Sequence, residues 1–194
     1  MRTLYYLGLF YVALCGALLW QARPAGSVPV AAQPTHPAPT PATGSASDWF
    51  HAIKPFCNSV EVVTQLQYQP PPAGLEGTGY AAACLALAGK IDKARTLILA
   101  LPSGDRAQAA GIVFEIGHPV ADAGDDKSAG PIMELVVEFW PNHYMALYHA
   151  GASEYILGQG DLARQHLESF LQYYHENDGW HANAIEMLTK LGAR

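Results

Sequence analysis

Basic residues are scarce in this chain: 11 lysines and arginines stand against 17 aspartates and glutamates, for a formal net charge of −6. No basic patch is available to displace counterions from a phosphate backbone, so general nucleic-acid binding is excluded, while cation binding and protein binding stay open. Cysteine is scarce as well. The three cysteines, Cys15, Cys57 and Cys84, form no CxxC pair and hence no dithiol redox motif. Catalytic signatures are missing too: there is no GxSxG, no HExxH, no EF-hand loop and no glycine-rich phosphate loop following a strand. The histidines, aspartates and serines suggest no nucleophilic triad. Scarcely any segment alternates as a strand does, so the expected class is all-α, with no enzyme activity and no cofactor expected.

Charge is also absent from residues 4–20, "LYYLGLFYVALCGALLW". Seventeen residues of helix reach the lower edge of what crosses a bilayer core, and the aromatic residues at its ends suit the headgroup region. We therefore expect a signal anchor over residues 1–22. The competing cleaved signal peptide finds its best small-residue site, Val30–Ala32, rather far downstream. Lipidation at Cys15 is disfavoured because Leu14 precedes it where a small residue is wanted. Residues 23–47 are rich in proline, alanine and threonine and hold no aromatic residue, which reads as a partly extended linker. At about 3.1 Å per residue it would reach roughly 75 Å. The arrangement implies a single-pass membrane protein with its domain, residues 48–194, on the periplasmic or extracytoplasmic side.

Within that domain the clearest pattern is "YMALYHAGASEYILGQGDLARQHLESFLQYY", residues 144–174. Apolar and small residues recur with a helical period on both sides of "GQGD", which reads as two antiparallel helices with a turn at Gly158 and with Asp161 as cap. Taking Gly151 as origin, glycine follows seven residues on (Gly158), alanine twelve on (Ala163) and a large apolar residue nineteen on (Phe170). The same offsets from Gly117 reach Gly124, Ala129 and Val136, and from Ala82 they reach Gly89, Ala94 and Leu101. Origins 34 or 35 residues apart have the period of a helix-turn-helix solenoid.

On these residues the chain resembles the tetratricopeptide repeat (TPR) family over about residues 75–177, and Pro141 sits where the family's unit-closing proline would be. The usual tryptophan is replaced by Leu147 in the last copy, and Pro119 falls inside the first helix of the middle copy, where it should bend or interrupt that helix. The resemblance implies a short right-handed solenoid with repeats near 75–108, 110–143 and 144–177. A final helix at 179–192, with Trp180 packed into the stack, would cap it. It also implies a partner held on the surface formed by the first helix of each unit. The positions that match are Phe114, His118 and Asp122 in the middle copy, His143 at the junction, and Met145, Tyr148, Ala152 and Tyr155 in the last. In the first copy Gly79, Ala83 and Ala86 would make a shallow surface. The competing view of the tyrosines is packing against the terminal helix.

Ahead of the repeats, "DWFHAI" reads as a helix capped by Asp48, and "PFCNSVEVVTQLQYQ" as a second helix begun by Pro55 and ended by Pro70–Pro72. Cys57 and Cys84 lie at comparable distances from the intervening "PPPAG", so antiparallel packing would bring them to similar heights. They are expected either to form a disulfide or to remain two buried thiols. A helix is expected from about Ser128, with Asp125 and Asp126 favoured at its N-terminus.

The leading functional expectation is a membrane-anchored protein–protein interaction module, an assembly, scaffold or stabilising factor for a membrane-associated complex. One alternative is a small metal-dependent enzyme or sensor using His118 and Asp122, with His143 as a third acceptable ligand, His149 close in sequence and Asp125 and Asp126 nearby. Another is a structural subunit held mainly by its membrane helix.

Overall fold

Small residues at fixed spacing allow helices to approach closely, and the computed structural model shows that they do. It describes residues 44–192, all within one unit, Ala38–Arg194. The expected membrane helix at 4–20 and the linker as far as residue 43 lie outside the described residues. Among the described residues there is no strand, and no helix is long and apolar enough to cross a membrane. The described residues form nine α-helices in order: α1 (Ala46–Ile53), α2 (Val62–Tyr68), α3 (Leu75–Leu87), α4 (Ile91–Leu99), α5 (Arg106–Asp122), α6 (Asp126–Phe139), α7 (Tyr144–Leu157), α8 (Gly160–Tyr173) and α9 (Gly179–Gly192). From α3 to α8 they pack as sequence-adjacent pairs, α3 with α4, α5 with α6 and α7 with α8.

The repeated positions play the same part in each pair. Gly89, Gly124 and Gly158 have φ of +70°, +84° and +77°, a left-handed backbone that glycine adopts without penalty from a side chain. Each is followed by an amide that reaches back to the carbonyl five residues earlier, Lys90 to Leu85, Asp125 to Val120 and Gln159 to Glu154, which closes the first helix of the pair. Ala94, Ala129 and Ala163 are fully buried where the second helix crosses the first. A Cβ at Gly117 would lie 2.7 Å from Ile132, and one at Gly151 would lie 2.7 Å from Leu167. These glycines set how closely α5 meets α6 and α7 meets α8.

One apolar core runs from α1 through α6 into the start of α7, with Phe50, Ile53, Ile98, Val113, Met133 and Val136 among its buried residues. A second lies under α9, where Trp180, Met187 and Leu188 cover Tyr148, Leu167 and Phe170. The terminal helix thus caps the stack, and Trp180 packs into it. The Cys57–Cys84 disulfide forms, joining the turn that follows α1 to α3 across a sequence separation of 27 residues.

Several local expectations are corrected. The first helix begins at Ala46 rather than Asp48, because Ser45 is the cap: its Oγ accepts the Asp48 amide at 3.1 Å and donates to the Asp48 carboxylate at 2.8 Å. Pro55 opens only a 3-10 turn, Lys54–Phe56, and α2 starts at Val62 after Asn58 has bound the Val60 and Glu61 amides. Asp161 lies in the first turn of α8 rather than at its cap, which is Gln159. Pro119 does not interrupt α5. It sits with Glu115 on the exposed side of that helix. Asp125 caps α6 through Ser128, and that helix begins two residues earlier than expected, at Asp126.

Candidate functional site

Two features of α5 face in different directions. Gln108, Gly111, Ile112 and Glu115 recur at helical spacing and line a cleft of about 600 Å³, closed at its sides by Tyr80 of α3 and by Trp140 and His143 between α6 and α7. Gly111 makes room for an aromatic wall: a Cβ there would lie 3.3 Å from the Trp140 ring. Trp140 meets His143 edge to face at 4.7 Å. His143 caps α7, its Nδ1 accepting the Ala146 amide at 3.3 Å, and burial pulls its pKa below the ordinary histidine value.

About one residue further round α5, Phe114 lies between two imidazoles, His143 at 4.0 Å and His118 at 4.6 Å between ring centroids. Beyond it His118 reaches α7. Its Nε2 is 3.2 Å from His149 Nε2 and 3.4 Å from Asp122 Oδ1 one turn along its own helix. His149 Nδ1 in turn lies 3.3 Å from Asp126 Oδ1 at the start of α6. His149 is only 2% exposed, held under Tyr148 and Trp180, whose ring centroids are 5.2 and 5.5 Å from its own. Burial lowers the pKa of His118, and the Asp122 carboxylate opposes that shift. Two imidazole nitrogens and a carboxylate oxygen converge here, a donor set suited to a divalent transition metal.

The residues expected to grip a partner are thus divided between different settings. Of Phe114, His118, Asp122, His143, Met145, Tyr148 and Tyr155, only His143 lines the cleft. Phe114 is buried beneath it, His118 and Asp122 belong to the histidine cluster, and Met145 packs on the main core. Tyr148 is 6% exposed, edge to face with Phe170 and Trp180, and Tyr155 is half-buried. Ala152 is buried, and Gly79, Ala83 and Ala86 are buried rather than forming a shallow surface; a Cβ on Gly79 would sit 2.7 Å from Ile112 across the α3–α5 contact. Among the three metal candidates, His143 does not join His118 and Asp122, because its ring is turned to cap α7. His149 takes the third place.

Residue spacing does not single out Tyr80, Gly111, Glu115 and Trp140 as a common cleft. A signal was present in α5, where a polar and small stripe, Gln108, Gly111 and Glu115, runs beside the apolar one. His149 and Asp126 stand out in the sequence only as neighbours of the metal candidates; their pairing with each other and with His118 spans 23 and 31 residues and comes from the packing of α5, α6 and α7. No family model, curated protein or solved structure matches the chain.

Proposed function

We propose that this chain is a protein–protein interaction module of TPR-like build, a short right-handed solenoid tethered to a membrane by residues 4–20. In this reading it holds an extended segment of another protein as an assembly or stabilising factor for a membrane-associated complex. The observation that carries the proposal is the cleft of about 600 Å³ between α3, α5 and Trp140. Aromatic walls from Tyr80 and Trp140 supply rigid apolar contact area of the kind that dominates interfaces. Gly111 lets the Trp140 ring close on α5, and the exposed Glu115 favours a lysine or arginine next to it on the bound segment. The Cys57–Cys84 disulfide supports an oxidising compartment and hence an extracytoplasmic domain.

Gentle detergent extraction of the full chain from its native membrane, followed by size separation and mass spectrometry, tests the reading. A stoichiometric partner is expected with the wild-type chain. Gln108→Trp, which fills the cleft from an exposed position, and Glu115→Lys should each remove it while leaving the helical circular dichroism unchanged. Retention of the partner by both variants, or migration of the wild-type chain alone, refutes the proposal.

A further inference from the structure

We propose that His118, His149 and Asp122 form a zinc-class metal site that fastens α5 to α7, with Asp126 as a positioning residue behind His149. The inference is independent of what occupies the cleft.

The hydrogens at the cluster do not suffice to hold it together. A carboxylate oxygen at Asp126 accepts from His149 Nδ1–H, and in that tautomer the lone pair of His149 Nε2 is turned toward His118. Asp122 Oδ1 is also an acceptor. A single hydrogen on His118 Nε2 would have to serve both His149 Nε2 at 3.2 Å and Asp122 Oδ1 at 3.4 Å. One hydrogen shared between two acceptors in different directions satisfies neither well. A cation placed among the three atoms satisfies all of them.

The spacing fits such an ion. Zinc bound at about 2.0–2.1 Å by nitrogen and oxygen in tetrahedral geometry sets ligand-to-ligand edges of about 3.3 Å. Two of the three edges here, 3.2 and 3.4 Å, match that value, and the third, within 4.8 Å, closes to it by a rotamer shift of the half-exposed Asp122 side chain. The surroundings fit as well. A metal-bound imidazole characteristically gives its other N–H to a carboxylate, which fixes the tautomer and ring orientation, and Asp126 stands in that position. His149, 2% exposed, is held rigidly, whereas the His118 and Asp122 side chains are 25% and 49% exposed, so the fourth position opens to water. Three protein ligands and an open position distinguish this arrangement from a closed structural site. Two imidazoles and one carboxylate favour zinc, or cobalt as its spectroscopic substitute, over calcium or magnesium.

The test uses the full-length chain, purified without a histidine tag, stripped with chelator and titrated with Co(II) alone. One equivalent should produce intense visible d–d absorption of a low-coordinate cobalt site, and Zn(II) should displace it. His118→Gln and Asp122→Asn, both on the exposed side of the cluster and tolerable to the fold, should abolish the one-equivalent spectrum. Asp126→Asn should weaken Co(II) binding about 10- to 100-fold without changing the stoichiometry. Zn(II) should raise the thermal midpoint of the wild type and leave that of His118→Gln unmoved. Absence of a one-equivalent spectrum from the wild type, or binding of equal affinity in His118→Gln and Asp122→Asn, overturns the proposal.

Discussion

Glu154 is buried in α7 at 1% exposure, and one nitrogen of His166 in α8 holds its carboxylate: Nδ1 lies 2.9 and 2.8 Å from the two oxygens. Removing one partner of a buried pair is costly because the other is left desolvated without compensation. His166→Ala should therefore lower the unfolding free energy by about 3 kcal/mol. Adding Glu154→Gln to it should recover part of that loss, since a neutral amide is cheaper to bury than a carboxylate. Urea unfolding of the two variants checks both statements, and an unchanged midpoint for His166→Ala would contradict them.

The Cys57–Cys84 bridge closes a loop across 27 residues of separation. On the chain-entropy account a loop of this length contributes about 3.5 kcal/mol by restricting the unfolded chain. Replacing both cysteines by serine should shift the urea midpoint down accordingly while α5 to α9 keep their helicity. A double variant as stable as the wild type would show that the bridge contributes nothing.

Two glycines of the last pair should respond to alanine for different reasons. At Gly158 there is open space but φ is +77°, so the cost is conformational, about 1 kcal/mol. At Gly151 the added methyl would lie 2.7 Å from Leu167 Cγ and 3.2 Å from its backbone nitrogen, forcing α7 and α8 apart at a cost of about 1–3 kcal/mol. Leu167→Ala is itself destabilising because Leu167 is fully buried, but in that background Gly151→Ala should cost less than in the wild type, while Gly158→Ala should cost the same. Additive effects in both double variants would sink the packing explanation.

His143 should make stability depend on pH. Burial lowers its folded-state pKa, so on acidification the unfolded chain, with a histidine near 6.5, takes up a proton first. The contribution is fully present above about pH 6.5 and is lost as pH falls through the lower folded value. Protonation also occupies the Nδ1 lone pair that accepts the Ala146 amide. Asn at position 143 can still cap α7 but does not titrate. His143→Asn should thus flatten the fall in the urea midpoint between pH 7.5 and 5.5, and an unaltered slope would rule His143 out as its source.

Much of the fold was legible because its signals are local. Glycine seven residues after each origin marks a turn, since only a residue without Cβ enters the left-handed region freely, and Gly89, Gly124 and Gly158 all do so. Alanine at Ala94, Ala129 and Ala163 marks a close crossing. Asp125 and Ser45 cap helices through contacts three residues away. Ser45 and Asp48 both carry cap-forming side chains, so residue type alone does not say which end of this capping box is the cap.

The candidate site was less legible because helical spacing gives a stripe but not its phase against neighbours outside the repeat. Tyr148 and Tyr155 share a face with Met145, yet α9 lies over part of it and leaves Tyr148 beneath Trp180. The Phe114–His118 stripe and the Gln108–Glu115 stripe are separated by about one residue, roughly 100° of rotation. Which of them faced the cleft depended on how Gly79 received Ile112 and Gly111 received Trp140.

The amino-acid order by itself determined the all-helical character of the described residues, three glycine-turned hairpins, a capping helix and the scarcity of positive charge, all set by the backbone freedom and polarity of nearby residues. Tertiary structure decided that His149 rather than His143 meets His118 and Asp122, and that Tyr80 and Trp140 wall one cleft. Those groupings join residues tens of positions apart, and their geometry comes from the angle at which whole helices pack.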